Sequence, residues 1–213
     1  MPEPFVKHTG TAVALLRDHI DTDQIIPSRE MKTVSRKGLA DGLFAGWRYA
    51  EPGGRHPNPD FALNAQKAHG ASVLVTGKNF GCGSSREHAV WALAEYGFRA
   101  IIAESFNSIF HGNCLRNGIL PITLDDQHAL EGPTWTGGET VTIDLPTQTV
   151  AISCLPEWVG RFAIDDYPKR LLLEGLDPIG LTLQSSDLLD AFEARDREAR
   201  PWVYADYSAA KAD

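Results

Sequence analysis

SVLVTGKNFGCGSSREHAVWALAEYGFRAIIAESFNSIFHGNCLRNGILPITL, residues 72–124, decides how this chain folds. Three short apolar runs, 72–77, 100–105 and 119–124, have the continuous Val/Leu/Ile/Ala character of strands buried on both faces. Between them lie two helical stretches. The first, 84–97, repeats Ala89, Ala92, Leu93 and Tyr96 on one face and stops at Gly97. The second, 107–118, closes on Asn117-Gly118. Strand–helix–strand–helix–strand with such strands predicts an α/β fold whose parallel sheet is covered by helices.

Outward from this centre the pattern changes. Upstream, residues 11–17 read as a first strand, 18–32 as a polar loop, 37–44 as a short helix, and 45–61, rich in Pro and Gly without periodicity, as a long surface loop. Downstream, 139–145 and 149–154 alternate with period two about Pro146-Thr147-Gln148 and predict an antiparallel hairpin. Residues 166–175 and 186–198 read as helices, and 199–213 as a fraying tail. The expected whole is a parallel sheet with helices plus an antiparallel β layer. Residues 1–165 would form the main domain and 166–213 its helical extension.

Composition narrows the function. The 213 residues carry 28 acidic and 20 basic side chains, a net charge of −8. That balance argues against the nucleic-acid backbone as a partner. Cys82, Cys114 and Cys154 form neither a disulfide framework nor a CxxC metal motif, and unpaired thiols suit a reducing compartment. The N-terminus lacks a signal-peptide pattern, and no apolar run approaches the ~20 residues of a membrane span. A cytoplasmic protein, with no membrane association, is expected.

The chemistry concentrates in Gly77-Lys-Asn-Phe-Gly-Cys-Gly-Ser-Ser-Arg-Glu-His-Ala89. Gly81 and Gly83 permit a tight turn and close approach. Ser84 and Ser85 then stand at a helix start, where free N–H groups and the dipole favour negative charge, and Arg86 adds a guanidinium suited to a carboxylate. Ser84 with Glu87 also spells the S-x-x-E capping box, so the same residues read as a plain helix cap. The dinucleotide fingerprint fails at Arg86, the phosphate loop lacks its lysine, and the hydrolase elbow G-x-S-x-G is absent. His111 and Cys114 could share a helix face, but two ligands are too few for a metal. His88 reads as a packing or capping contact, and Trp47 as a cover for the site or a partner contact. Cys114 and Cys154 read as buried apolar groups, whereas Cys82, in the Gly-rich turn, reads as an oxidation-sensitive thiol.

The run GKNFGCGSSREHA resembles the signature of the aconitase superfamily's swivelling domain. Asp21-Thr-Asp-Gln-Ile-Ile-Pro27, Asn58-Pro-Asp-Phe61 and the stretch from Ser105-Phe106 through Asn113 and Gly118 to Leu120-Pro121 resemble the isopropylmalate dehydratase small-subunit family, in the same order. His19 and the segment Ser28-Arg-Glu-Met-Lys32 depart from the usual pattern, and the latter resembles the family's loop that reads the substrate's variable side chain.

The resemblance implies a swivelling β/β/α domain and a hydro-lyase that interconverts 2- and 3-isopropylmalate through 2-isopropylmaleate, in leucine biosynthesis. It implies Ser84 as the catalytic base, Ser85 and Arg86 on a substrate carboxylate, Asp23 orienting the basic group, and Arg29 or Lys32 as a second substrate contact. Asp21 and Asp23 equally suit a turn or cap. It implies activity only with a large subunit that carries a 4Fe–4S cluster, none being bound by this chain. Alternatives are a related hydratase for citraconate, dimethylmaleate or homoaconitate, or a non-catalytic anion-binding domain.

Overall fold

The computed structural model describes residues 2–31, 35–84, 86–126, 135 and 138–204. The chain divides into two compact units, Met1–Leu176 and Asp177–Asp213. The boundary thus falls after the helix at 166–175, which the sequence pattern groups with the extension.

The first unit holds β1 (Lys7–Leu15), α1 (Thr22–Ile25), α2 (Ala45–Arg48), β2 (Val73–Thr76), α3 (Glu87–Tyr96), β3 (Ala100–Ala103), α4 (Ser108–Arg116), β4 (Leu120–Ile122), β5 (Thr140–Asp144), β6 (Thr149–Ile152), β7 (Val159–Arg161) and α5 (Asp166–Glu174). The seven strands make one sheet in the order β4-β3-β2-β1-β5-β6-β7. Its two halves meet in β1: Ala12–Leu15 pair parallel with β2, and Lys7–Thr11 pair antiparallel with β5. The antiparallel layer is therefore an extension of the parallel sheet. β1 begins four residues earlier than the apolar run at 11–17 because its first half is half-exposed and carries polar residues.

The two outer strands also approach each other. Beyond β4 and β7, Leu124 and Phe162 form an antiparallel bridge, and the Asp125 N–H donates to the Arg161 carbonyl at 2.9 Å. The sheet thus curls back on itself. Its enclosed face supplies Val73, Val75, Ile102, Leu120, Val141, Ile143 and Val150 to one core. Alternate residues of the same parallel strands, Leu74, Ile101 and Ala103, point outward into a second core under α3 and α4. That sorting by period two gives the β/β/α arrangement.

Several local readings change. Residues 45–61 contain α2 and are tied down: Trp47 stacks on Phe44 at 5.9 Å, Asn58 Nδ2 donates to the Trp47 carbonyl at 3.0 Å, and Phe61 is buried. Residues 37–44 yield only a 3-10 turn, Ala40–Gly42, because Leu43 turns extended (ψ 122°) and Phe44 follows at φ 50°. Cys154 is exposed beyond β6, correcting its expected burial, whereas Cys114 is fully buried.

The second unit contains α6 (Pro178–Leu183), capped by the Asp177 carboxylate on the Gly180 N–H, α7 (Ser186–Ala199), and a 3-10 turn, Pro201–Tyr204. Asp196 ties its end together, accepting from Arg200 Nε at 2.7 Å and the Tyr204 hydroxyl at 2.9 Å. Residues 205–213, the rest of the expected fraying tail, lie outside the described residues. No helix among the described residues is long and apolar enough to cross a membrane.

Candidate active site

The Gly-rich loop leaves β2 at the carboxyl edge of the parallel strands, where open α/β sheets bind ligands. Loops on both sides hold its backbone in a non-helical path. On one side, Asp18 Oδ1 accepts from the Lys78 N–H at 2.8 Å, the His19 N–H donates to the Lys78 carbonyl at 2.8 Å, and the Gly81 N–H to the Ile20 carbonyl at 2.8 Å. The Thr22 N–H donates to the Cys82 carbonyl at 3.0 Å. On the other side, the Phe80 N–H donates to the Ser105 carbonyl, and the Asn107 N–H to the Phe80 carbonyl, both at 3.0 Å.

This pinning demands unusual backbone angles. Gly81 and Gly83 have φ of 74° and 88°. A Cβ on Gly81 would run into the Phe110 ring, so the close approach made there is to the core. Asn79 and His19 also lie at positive φ, 53° and 56°, and their side chains are hydrogen-bonded at 3.1 Å. His, Asn and Asp tolerate this left-handed region better than most residues. That explains how His19 is accommodated at this position.

Arg86 itself is extended (φ −70°, ψ 127°), so α3 starts at Glu87 with Arg86 as its N-cap. Ser84 stands two residues before that cap and is exposed. The expected capping box is absent. The Glu87 carboxylate instead accepts from Asn117 Nδ2 at 2.8 Å, and Asn117 also accepts from the Trp91 indole, so α3 is tied to the end of α4.

Arg86 reaches the loop after β1. Its Nη1 lies 2.8 Å from Asp23 Oδ1 and donates to Ser28 Oγ at 2.7 Å, while the Ser28 hydroxyl donates to the same Asp23 oxygen at 3.0 Å. The Arg86 and Asp23 side chains are 34% and 53% exposed. Such a pair adds about 0–1 kcal/mol to stability, so its main physical consequence is orientation. Asp21, by contrast, is a cap: its carboxylate accepts from the Gln24 N–H at 2.7 Å, and Gln24 returns a bond to the Asp21 N–H. Arg29 pairs with Glu30 at 3.4 Å, and Glu30 also binds Arg55 at 2.6 Å. Ser85 and Lys32 lie outside the described residues. Sequence reasoning misses Ser28; its only signal is a hydroxyl one residue past Pro27, in the segment that departs from the family pattern.

The Cys82 thiol is partly buried and donates to the His19 carbonyl at 3.4 Å. Burial, reinforced by the Asp21 charge, pushes its pKa up. That disfavours the thiolate. His88 packs against Trp91, with ring centroids 4.7 Å apart. Among the described residues no three His, Cys, Asp or Glu side chains converge as a metal site. The cysteines are scattered between the Gly-rich loop, the buried face of α4 and the exposed end of β6, and so do not fit an iron–sulfur cluster.

Comparison with known proteins agrees with this architecture. Residues 2–127 match the aconitase C-terminal domain, and residues 179–206 match the C-terminal domain of the 3-isopropylmalate dehydratase small subunit. A 3-isopropylmalate dehydratase small subunit from Cupriavidus necator is 53% identical over 208 residues, spanning 96% of this chain and 99% of that protein. The crystal structure of a 3-isopropylmalate dehydratase from Methanocaldococcus jannaschii superposes with a TM-score of 0.65 at 28% identity, over 88% of this chain and 99% of the other. A curled mixed sheet, a Gly-rich loop leading into α3 and 53% identity over nearly the full length together place the chain in the family of 3-isopropylmalate dehydratase small subunits.

Proposed function

We propose that this chain is the small subunit of a heteromeric, cytoplasmic hydro-lyase that interconverts 2-isopropylmalate and 3-isopropylmalate through 2-isopropylmaleate. The observation that carries the reading is Arg86, hydrogen-bonded to Asp23 and Ser28 two residues from the exposed Ser84. The reaction removes a proton from the carbon beside one carboxylate and hydroxide from the neighbouring carbon, then adds water back with the opposite regiochemistry. Ser84 takes the carbon-bound proton. Its alkoxide form is favoured by the positive end of α3 and by the Arg86 guanidinium. Arg86, with Ser85, holds a substrate carboxylate and stabilises the charge that builds on it after deprotonation. Lys32 or Arg29 contacts the substrate's second polar end, and for Arg29 this requires release from Glu30.

Departure of hydroxide calls for a Lewis acid. Among the described residues no cluster of side chains could hold such a metal, and we assign it to a 4Fe–4S cluster on the large subunit.

The test is co-purification with the cognate large subunit, followed by assays on isopropylmalate, citraconate, dimethylmaleate and homoaconitate. Ser84→Ala should lower kcat by at least about 100-fold, as loss of a general base does. Arg86→Lys should lose most of kcat/KM, because a point charge cannot replace the planar fork. Turnover that survives Ser84→Ala would remove the base assignment, and preference for another diacid would change the substrate.

A further inference from the structure

We infer that Ser28 is a positioning residue for Arg86: its hydroxyl fixes the guanidinium through Nη1 and so keeps the Nη2–Nε edge for the substrate carboxylate. The inference rests on the reading of Arg86 as the carboxylate ligand. Among the described residues, the hydrogen bonds that Arg86 donates to Asp23 and to Ser28 both leave from Nη1. A single bond to Asp23 would leave the planar group free to pivot about that nitrogen. The Ser28 oxygen removes this freedom by accepting from Nη1 at 2.7 Å while donating to Asp23 at 3.0 Å, which closes a three-membered ring of side chains. The ring is directional, since the serine acts once as acceptor and once as donor.

The serine is itself held from behind. It opens the 3-10 turn Ser28–Glu30, directly after Pro27, whose φ is fixed near −61°. At the other end of the turn, the Glu30 side chain is only 7% exposed and is gripped by Arg55 at 2.6 Å. It also packs against Gly42, where any Cβ would overlap it. The position of the hydroxyl is therefore set by the fold around the 28–30 turn. The segment that departs from the usual family sequence consequently reaches the substrate indirectly, by aiming Arg86, as well as through any contact of its own.

The experiment uses the enzyme assembled with its large subunit and compares Ser28→Ala, Ser28→Thr, Arg86→Lys and the Ser28→Ala/Arg86→Lys double variant. Ser28 is exposed, so the melting temperature of each Ser28 variant should match the parent. Ser28→Ala should lower kcat/KM for 2-isopropylmalate about 10-fold, chiefly through KM, as expected for one hydrogen bond to a charged group. Ser28→Thr, which keeps the hydroxyl, should restore most of that loss. In the Arg86→Lys background Ser28→Ala should add less than about 2-fold, because the group it positions is gone. A Ser28→Ala enzyme with unchanged KM, a threonine variant as poor as the alanine one, or an equal Ser28→Ala loss in both backgrounds overturns the inference. If Arg86→Lys leaves the parent activity intact, the carboxylate reading itself fails; if it cripples the enzyme while Ser28→Ala is silent, only the role of Ser28 is lost.

Discussion

His19, Asn79, Gly81 and Gly83 all sit at positive φ within one small region of the molecule. Two are glycines and two belong to the residue types that best tolerate the left-handed well. The glycines were legible in the sequence as turn-formers. His19 was legible only as a departure from a family pattern, because its fitness depends on a backbone angle set by pairing with Lys78. The cysteines show the same dependence on surroundings. Cys114 is sealed under α4, where burial raises its pKa strongly; Cys82 is half-covered with its pKa also raised; Cys154 is exposed. Maleimide labelling of the native chain near pH 7 should therefore modify Cys154 first, Cys82 slowly, and Cys114 only after denaturation. Peptide mapping over a time course checks the order, and labelling of Cys82 ahead of Cys154 would contradict it.

At the scale of elements, the start of α3 is the informative case. Sequence preference puts it at Ser84, yet it begins at Glu87, because hydrogen bonds to the 17–22 and 105–107 loops pin residues 78–82 into a non-helical path and Arg86 is itself extended. The other end of α3 serves a distant segment. Glu95 accepts from the backbone N–H groups of Gly38, Leu39 and Ala40 at 2.6, 2.5 and 2.9 Å, capping the 3-10 turn that follows. Burial pushes its carboxyl pKa up, but the three donors together outweigh that and leave it below its ordinary value. Glu95→Ala should destabilise the chain by about 1–2 kcal/mol, as loss of a helix cap does, read as a lower urea midpoint at unchanged slope. A midpoint equal to the parent's would show that the turn holds without its cap. Periodicity cannot reveal such a contact, since Glu95 looks like any solvent-facing helical residue.

For the whole molecule, two half-buried histidines couple folding to pH. Burial lowers the pKa of His8, helped by Arg99, and burial lowers that of His111 against an opposing pull from Asp165. Both groups bind protons more readily in the unfolded chain, with its ordinary value of 6.5, than in the folded one. Stability from these groups is therefore fully present above pH 6.5 and is lost as the pH falls below it toward the depressed folded values. The carboxylates act in a separate, more acidic window, because Glu95 is lowered from 4.5. Urea unfolding should give a lower free energy at about pH 5.5 than at about pH 7.5, and replacing both histidines with glutamine should flatten the difference. Equal stability of the parent at the two pH values would refute the linkage.

The amino-acid sequence by itself determined the alternation of strands and helices from 72 to 124, the hairpin at 139–154, and the Gly-rich loop that bears Ser84 and Arg86. These are local matters of period, turn chemistry and short-range order. Tertiary structure decided the rest. It made β1 the shared strand of both halves of the sheet, brought the two sheet edges together at Leu124 and Phe162, and carried Asp23 and Ser28 across some sixty positions to Arg86. Such contacts between residues far apart in the chain form when the apolar faces of the sheet are buried, and no local pattern specifies which distant loop then lies alongside.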